Sequence, residues 1–378
     1  MLRRKFAKAL NEIPIEIQRL RKNKYPRFVT TSINRFFVDE VPVFMFHSVT
    51  AAQFEFQLRY LKENQYETLT LKQFMAFLSG AFSPINPSVL LTFDDGDKSW
   101  YEVAYPLLQK YDYHAVGFLV PSYICEETSL DSAWMSWDEV REIESSGVME
   151  MESHTFHHAR VFTGRQVIDF YHPQYNFNPL NLDIPWVMRG DQFHNQLDWG
   201  TPIYQHESLY AGSVRYCDDE VIREKCVAWV KRQGGVKFFN EANWQKKIQA
   251  FYKSLDAELT NQVPRYESSE DRDAAIYSDL LKAKHTLEEK LQKRISHLCY
   301  PWGAGSEKAV NLSRQAGYES NFWVVNNVRN CNRQGDSPFY NSRLKDDYLV
   351  RLPGQGRQPL SKIFTMKISR RFQKTNIY

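Results

Sequence analysis

Short apolar runs, each closed by a polar or turn residue, recur along this chain and alternate with stretches that place hydrophobic residues every three or four positions. Val41 to Val49 is one such run, Val89 to Phe93 a second and His114 to Pro121 a third. Runs of this length without polar alternation are expected of parallel strands covered on both faces. Between them the period changes to that of a helix, through Phe54, Phe56, Leu58, Tyr60 and Leu61, then Leu71 to Leu78, then Tyr101 to Tyr111. Trp137 to Ser146 predicts a helix stopped by Gly147, and Met149 to Ser153 a strand. Farther on, Ser268 to Lys293 predicts a helix, with Ser268 and Asp271 at capping spacing and Ile276, Leu280, Leu287 and Leu291 on one stripe. It leads into a strand from Ile295 to Tyr300, a helix from Ala309 to Ala316 stopped by Gly317, and strands at Phe322 to Val325 and Tyr348 to Pro353. Strand and helix in alternation predict an α/β fold. About seven strands with polar groups at their carboxyl ends predict a (β/α) barrel whose site lies on that face.

Residues 160–262 break the rhythm. Phe162 to Tyr216 is rich in Asn, Pro, Gln and aromatics, including Trp186, Trp199, Tyr204 and Tyr210, and has little period. Such a stretch is too long for a plain connector and reads as a cover or lid, its aromatics serving mainly as packing. Two helices follow, about Asp218 to Gln233 and Glu241 to Leu255. The expected division is a basic arm (1–36), a discontinuous barrel (37–159 and 263–355), an insertion (160–262) and a basic tail (356–378).

Residues 1–27 carry nine Lys or Arg against two Glu, with Phe6, Leu10, Ile13, Ile17 and Leu20 at helical spacing. This is either a helix docked on the domain or an attachment to an anionic membrane surface, where each basic residue contributes about 1 kcal/mol. The tail repeats the character with Lys367, Arg370, Arg371 and Lys374. Over all 378 residues the formal charge is only +3, which argues against a nucleic-acid partner. The five cysteines are scattered, without disulfide or zinc-knuckle spacing, and no run suits a spanning helix. No apolar signal region follows Met1-Leu2-Arg3-Arg4-Lys5. The expected location is cytoplasmic, with peripheral contact at the inner face of the membrane as its extension.

The chemistry is concentrated in two short stretches. Thr92-Phe93-Asp94-Asp95-Gly96 ends a strand in two adjacent carboxylates, whose side chains diverge because strand neighbours point to opposite faces. One is then able to bind a cation while the other acts as a base, although Asp-Asp-Gly alone is also an ordinary turn. Ser153-His154-Thr155-Phe156-His157-His158 adds three histidines within five positions, in a chain that has ten. Clustered imidazoles together with a spare carboxylate favour a transition-metal site.

These two stretches resemble the first two motifs of the polysaccharide deacetylases, the NodB-homology domain of carbohydrate esterase family 4. The resemblance covers roughly residues 40–160 and 263–355 and implies a distorted (β/α) barrel with Asp95, His154 and His158 as metal ligands and Asp94 as general base. His157 falls outside the pattern. The third motif departs from the family: Cys299-Tyr300-Pro301-Trp302-Gly303 lacks the usual arginine, and no histidine follows His297 to serve as a late acid. The chain is similar instead to the poly-N-acetylglucosamine deacetylase branch with permuted motif order, in which an N-terminal Tyr-His-x-Val supplies the acid. Phe46-His47-Ser48-Val49 matches that element and makes His47 the expected acid. Arg351, the one late arginine beside a strand signal, is expected either to steady Asp94 or to be structural. Tyr300, Pro301 and Trp302 are expected at the substrate, with a backbone N–H near Trp302 facing the oxyanion. The resemblance implies a metal-dependent hydrolase that removes acetyl from an N-acetylated hexosamine in a glycan or a lipid- or nucleotide-linked sugar, with Zn, Co or Ni suited to the ligand set. Alternatives are an inactive glycan-binding barrel, an amidohydrolase of a non-sugar C–N bond, and a membrane-tethering module.

Overall fold

A computed structural model describes residues 14, 16–22, 24–129, 131–175, 182–189, 192–259, 265–324 and 328–372. Two compact units divide the chain: one holds Met1–His157, Ser278–Gly305 and Val310–Tyr378, the other His158–Tyr277 and Ser306–Ala309.

In chain order the strands are β1 (Val43–Phe46), β2 (Glu67–Thr68), β3 (Ser88–Asp95), β4 (Ala115–Leu119), β5 (Met149–Ser153), β6 (Arg160–Phe170), β7 (Val187–Arg189), β8 (Gln192–His194), β9 (Pro202–Ser208), β10 (His297–Cys299), β11 (Ser320–Val324) and β12 (Asn341–Lys345). The longer helices are α1 (Ala51–Glu63), α2 (Leu71–Leu78), α3 (Tyr105–Tyr111), α4 (Trp137–Ser146), α5 (Glu220–Arg232), α6 (Trp244–Leu259), α7 (Ser269–Leu291), α8 (Glu307–Gln315) and α9 (Leu360–Phe372).

In the first unit β1, β12, β11, β10, β5, β4 and β3 pair in that order, every pairing parallel, and β1 pairs with β3 to close a ring of seven. β2 adds to β3 through Glu67 and Thr68. All eight residues of β3 are buried, as an apolar run inside a closed parallel sheet requires. Local signals agree with this topology. Ser136 caps α4 in a capping box with Glu139, Gly147 ends it with φ of 72°, and Thr70 and Gln73 form the same box at the start of α2. Phe46 and Phe93 stack at 4.9 Å, with Phe54 and Trp100 edge-on to Phe93. Fully buried side chains of this size contribute roughly 1.5–3 kcal/mol each.

One strand expectation is corrected. Tyr348 to Pro353 is not a strand: Asp346–Arg351 is a 3₁₀ turn, and the strand is the preceding β12, Asn-Ser-Arg-Leu-Lys. Its polarity hid it, yet Asn341, Ser342 and Arg343 are all buried. The stretch from Phe162 to Tyr216, which carries little period, nevertheless contains most of β6 and all of β7 to β9. β6 and β9 run antiparallel with register shifts around Val167, and those irregularities erase the two-residue alternation.

The second unit has its own core, formed by Phe170, Val230, Phe238, Phe239, Trp244 and Ile248 and by Phe162, Val187, Ile203 and Tyr204. Trp186 and Tyr204 are buried, as packing requires, whereas Trp199 is 38% exposed and stacks on Tyr171 at 4.9 Å. The basic arm from residue 16 onward is docked on the first unit. Arg27 pairs with Asp39 at 2.6 Å and Glu40 at 2.8 Å, Lys367 pairs with Glu16, and Phe28 and Val29 are buried. Arg3, Arg4, Lys5, Phe6, Lys8, Leu10, Ile13 and Lys374 lie outside the described residues. Among the described residues no helix is long and apolar enough to cross a membrane.

Candidate metal centre and catalytic site

β3 carries Thr92 and Asp94 on one face, two residues apart, and Arg343 of β12 reaches both. Its Nη1 donates to Asp94 Oδ1 at 2.6 Å and to Thr92 Oγ1 at 3.1 Å, and its Nη2 donates to Asp94 Oδ2 at 2.7 Å. This is a buried two-bond guanidinium–carboxylate fork, the strongest neutralisation a carboxylate has available inside a protein. Burial alone would raise the Asp94 pKa, but the Arg343 charge, with His154 and the hydrogen bonds, outweighs it and holds the carboxyl well below the usual range. Asp94 is therefore ionised and fixed in direction.

Asp95 leaves the strand in a left-handed conformation, φ 92°, followed by Gly96 at φ 104°. A non-glycine residue there is strained. Asp95 Oδ1 lies 3.4 Å from Nε2 of His154. His154 follows β5, its backbone N–H donating to the Leu119 carbonyl at 2.7 Å, and its Nδ1 sits 2.8 Å from the Cys299 carbonyl. A carbonyl only accepts, so Nδ1 carries the proton and Nε2 is left with its lone pair toward Asp95. His158, four residues on and also left-handed at φ 49°, completes the group: Asp95, His154 and His158 are all buried, and each offers a ligand atom within 4.8 Å of the other two.

One carboxylate oxygen and two imidazole nitrogens suit a divalent transition metal with coordination positions left for water and substrate. Burial lowers the His154 pKa and so keeps the ring in the form that binds metal. Asp94, His154 and Cys299 form a second group of similar spacing. It is a poor metal set: burial pushes the Cys299 thiol well up, and Arg343 Nη2 already donates to its sulfur at 2.8 Å.

His47 follows β1, half-buried, with its carbonyl accepting from Trp100 Nε1 at 3.0 Å. Burial pulls its pKa down to about 4, against the attraction of Asp94 and with the repulsion of Arg343 and His154. Arg343 and His154 thus act on both His47 and Asp94, and the His47 imidazole rests neutral at neutral pH.

The structure does not bring Arg351 to Asp94. Its guanidinium donates to the carbonyls of Val29, Thr31 and Gln358, a tie between the chain's two ends, and Arg343 occupies the position beside Asp94. Tyr300 is fully buried and packs on Trp323 at 4.8 Å, with its hydroxyl accepting from Asn321 Nδ2 at 2.9 Å, so its ring belongs to the core rather than to a substrate surface. Pro301 is buried as well, and Trp302, half-buried, takes φ of 53°. Among the described residues, four of the seven non-glycine residues with positive φ (Asp95, Thr155, His158 and Trp302) thus fall in the stretches that carry the site motifs. Sequence reasoning missed Arg343 and Cys299. Both depend on which strands become neighbours, and Arg343 stands in a polar stretch without a strand signal.

Residues 83–174 match the polysaccharide deacetylase family. Over 109 residues the chain is 38% identical to the poly-β-1,6-N-acetyl-D-glucosamine N-deacetylase of Staphylococcus aureus strain MSSA476, a match covering 29% of this chain and 37% of that protein. It thus spans little more than a third of that relative's length. A de-N-acetylase from Aggregatibacter actinomycetemcomitans superposes with a TM-score of 0.52 at 18% identity, covering 81% of this chain and 94% of its own. The BpsB deacetylase domain from Bordetella bronchiseptica superposes with a TM-score of 0.52 at 15% identity, covering 82% and 97%. At these identities the superpositions speak to fold, and they agree with a distorted (β/α) barrel.

Proposed function

We propose, from the premise that this chain is a polysaccharide deacetylase homologue through residues 83–174, that it hydrolyses the acetamide of an N-acetylated amino sugar within a glycan. The observation that carries the proposal is the convergence of Asp95, His154 and His158 beside an Asp94 gripped by Arg343. Asp95, His154 and His158 would hold a divalent ion, proposed as zinc, with cobalt and nickel as substitutes. Bound there, it would polarise the acetamide carbonyl and acidify water.

The chain's own residues supply the proton handling. Asp94, ionised and immobile, accepts the proton of the attacking water, and Arg343 keeps both carboxylate oxygens in place while it does so. The tetrahedral oxyanion is stabilised in part by a backbone N–H near Trp302. As the C–N bond breaks, the amine must gain the proton that the water lost. His47, neutral at rest, takes that proton up within the cycle and passes it to the leaving nitrogen. The sum is amide plus water giving acetate and amine.

The test is acetate release from β-1,6-linked N-acetylglucosamine oligomers and from lipid-linked N-acetylhexosamine, with metal-stripped and zinc-reloaded protein. Zinc-dependent acetate release is the expected result. Stoichiometric zinc binding with no acetate from any acetylated glycan would sink the proposal and favour a glycan-binding barrel, and release only from acetylated polyamines would favour a non-sugar amidohydrolase. Peripheral contact of the basic N-terminal arm with anionic lipid is proposed separately. Replacement of Arg3, Arg4, Lys5 and Lys8 by glutamine is expected to reduce sedimentation with phosphatidylserine vesicles, and unchanged sedimentation refutes the contact.

A further inference from the structure

The loop between the two ligating histidines contains a third, His157, that the metal set does not use. His157 Nδ1 donates to Oδ1 of Asp279 on α7, and the backbone N–H of Phe156 donates to Oδ2 of the same carboxylate at 2.9 Å. Asp279 is 6% exposed, so a buried carboxylate receives one hydrogen bond on each oxygen from two consecutive residues. The adjoining residue of α7 secures the other side of the loop. The Tyr318 hydroxyl bridges the Leu280 carbonyl at 3.1 Å and Ser153 Oγ at 2.9 Å, and Ser153 directly precedes His154.

The loop needs holding. Thr155 at φ 68° and His158 at φ 49° occupy a region that L-residues populate sparsely, and such conformations persist only where surrounding contacts over-determine them. Hydrogen bonds to a buried charged acceptor are among the stronger ones, and here they fall on the two residues between the strained positions.

We infer that Asp279 is a positioning residue for the metal centre: by gripping Phe156 and His157 it sets the loop so that His154 and His158 face the same ion as Asp95. The inference rests on the metal reading of that trio. It gives His157 a structural task and makes a residue of α7, more than a hundred positions away in sequence, part of the site's support.

The experiment uses the full chain, stripped of metal, as wild type, Asp279→Ala, Asp279→Asn and His154→Ala. Co(II) affinity is measured by titration against a chelator, hydrogen exchange at the amides of residues 154–158 is followed in metal-free protein, and Tm is recorded for each. The expected outcome for Asp279→Ala is an affinity about 10- to 100-fold weaker, in line with loss of an outer-sphere support, and faster exchange at the Phe156 amide. Asp279→Asn, which keeps one acceptor oxygen, should fall between wild type and Ala, and at saturating Co(II) both should recover kcat to within a few-fold. A lowered Tm with unchanged Co(II) affinity would reduce Asp279 to a fold residue and overturn the inference. Unchanged affinity and exchange together would do the same. A wild-type chain that binds no Co(II), or a His154→Ala chain that binds it as well as wild type, refutes the metal reading itself and the positioning role with it.

Discussion

Replacing Arg343 by methionine removes the guanidinium that fixes the candidate base while roughly preserving volume. Two hydrogen bonds, 2.6 and 2.7 Å, are lost from a pair in which Arg343 is fully buried and Asp94 is 2% exposed. Unit charges about 4 Å apart attract by about 4 kcal/mol at an effective dielectric near 20, and removal of one partner from a buried pair typically costs about 3–5 kcal/mol. At roughly 2 °C per kcal/mol for a large domain, Tm should fall by about 6–10 °C. The pH dependence follows from linkage. The folded pKa of Asp94 is depressed, so its contribution is complete above the unfolded value of about 3.9 and is lost as pH falls through the lower folded value. The unfolded state is common to both proteins and the buried Asp94 of Arg343→Met has a raised pKa, so the stability gap should shrink as pH falls from that raised value toward the depressed wild-type one. Without the guanidinium, burial raises the Asp94 pKa, so the acidic limb of kcat/KM should move to higher pH while kcat/KM at its optimum falls about 10²–10⁴-fold. Arg343→Lys keeps the charge but not the fork and should recover part of the stability and less of the rate. The assays are calorimetry from pH 3 to 8 and acetate release across the same range. An Arg343→Met enzyme within threefold of wild type, with an unmoved acidic limb, would refute the assignment.

Asp94→Asn should retain one bound metal per chain and lose kcat by about 10²–10⁴-fold, whereas His154→Ala should lose the metal, as read by elemental analysis beside the acetate assay. Arg351→Met should leave kcat/KM within about twofold and lower stability by about 1–3 kcal/mol through the lost bonds to the Val29, Thr31 and Gln358 carbonyls, as read by denaturant titration. Glu152 tests a charge outside the site. Its burial, opposed by Lys293 and by backbone N–H donors of His297 and Ser296, pushes its pKa up to about 8. A folded pKa above the unfolded value of about 4.3 means that wild-type stability falls as pH rises between them, by up to about 1.4 kcal/mol per unit. Glu152→Gln, whose carbonyl can still accept both N–H groups, should gain on wild type steadily from pH 5 to 8 in calorimetry, and a constant gap would contradict the burial argument.

What the sequence determined by itself was whatever a strand or a loop encodes locally. The apolar run before Asp94 is buried along its length because both faces of a closed parallel sheet are covered, and apolar side chains are the ones that tolerate this. The histidine spacing likewise survives into the structure, since a loop of five residues can bring its own first and last members together. Arg343 was not legible. β12 is polar, and its burial is bearable only because Asp94 and Thr92, some 250 positions earlier, meet its guanidinium inside the ring. The apolar pattern of Tyr348 to Pro353 pointed to the wrong segment because those side chains are buried beneath a 3₁₀ turn, and burial alone does not distinguish a turn from a strand. Asp279 was hidden for the same reason: a carboxylate on a long helix looks solvated until the loop it grips is placed beside it. The candidate ligands belong to two local stretches, whereas the groups that fix their protonation and direction belong to strand order and helix packing, because a buried charge is decided by its neighbours in space and not by its neighbours along the chain.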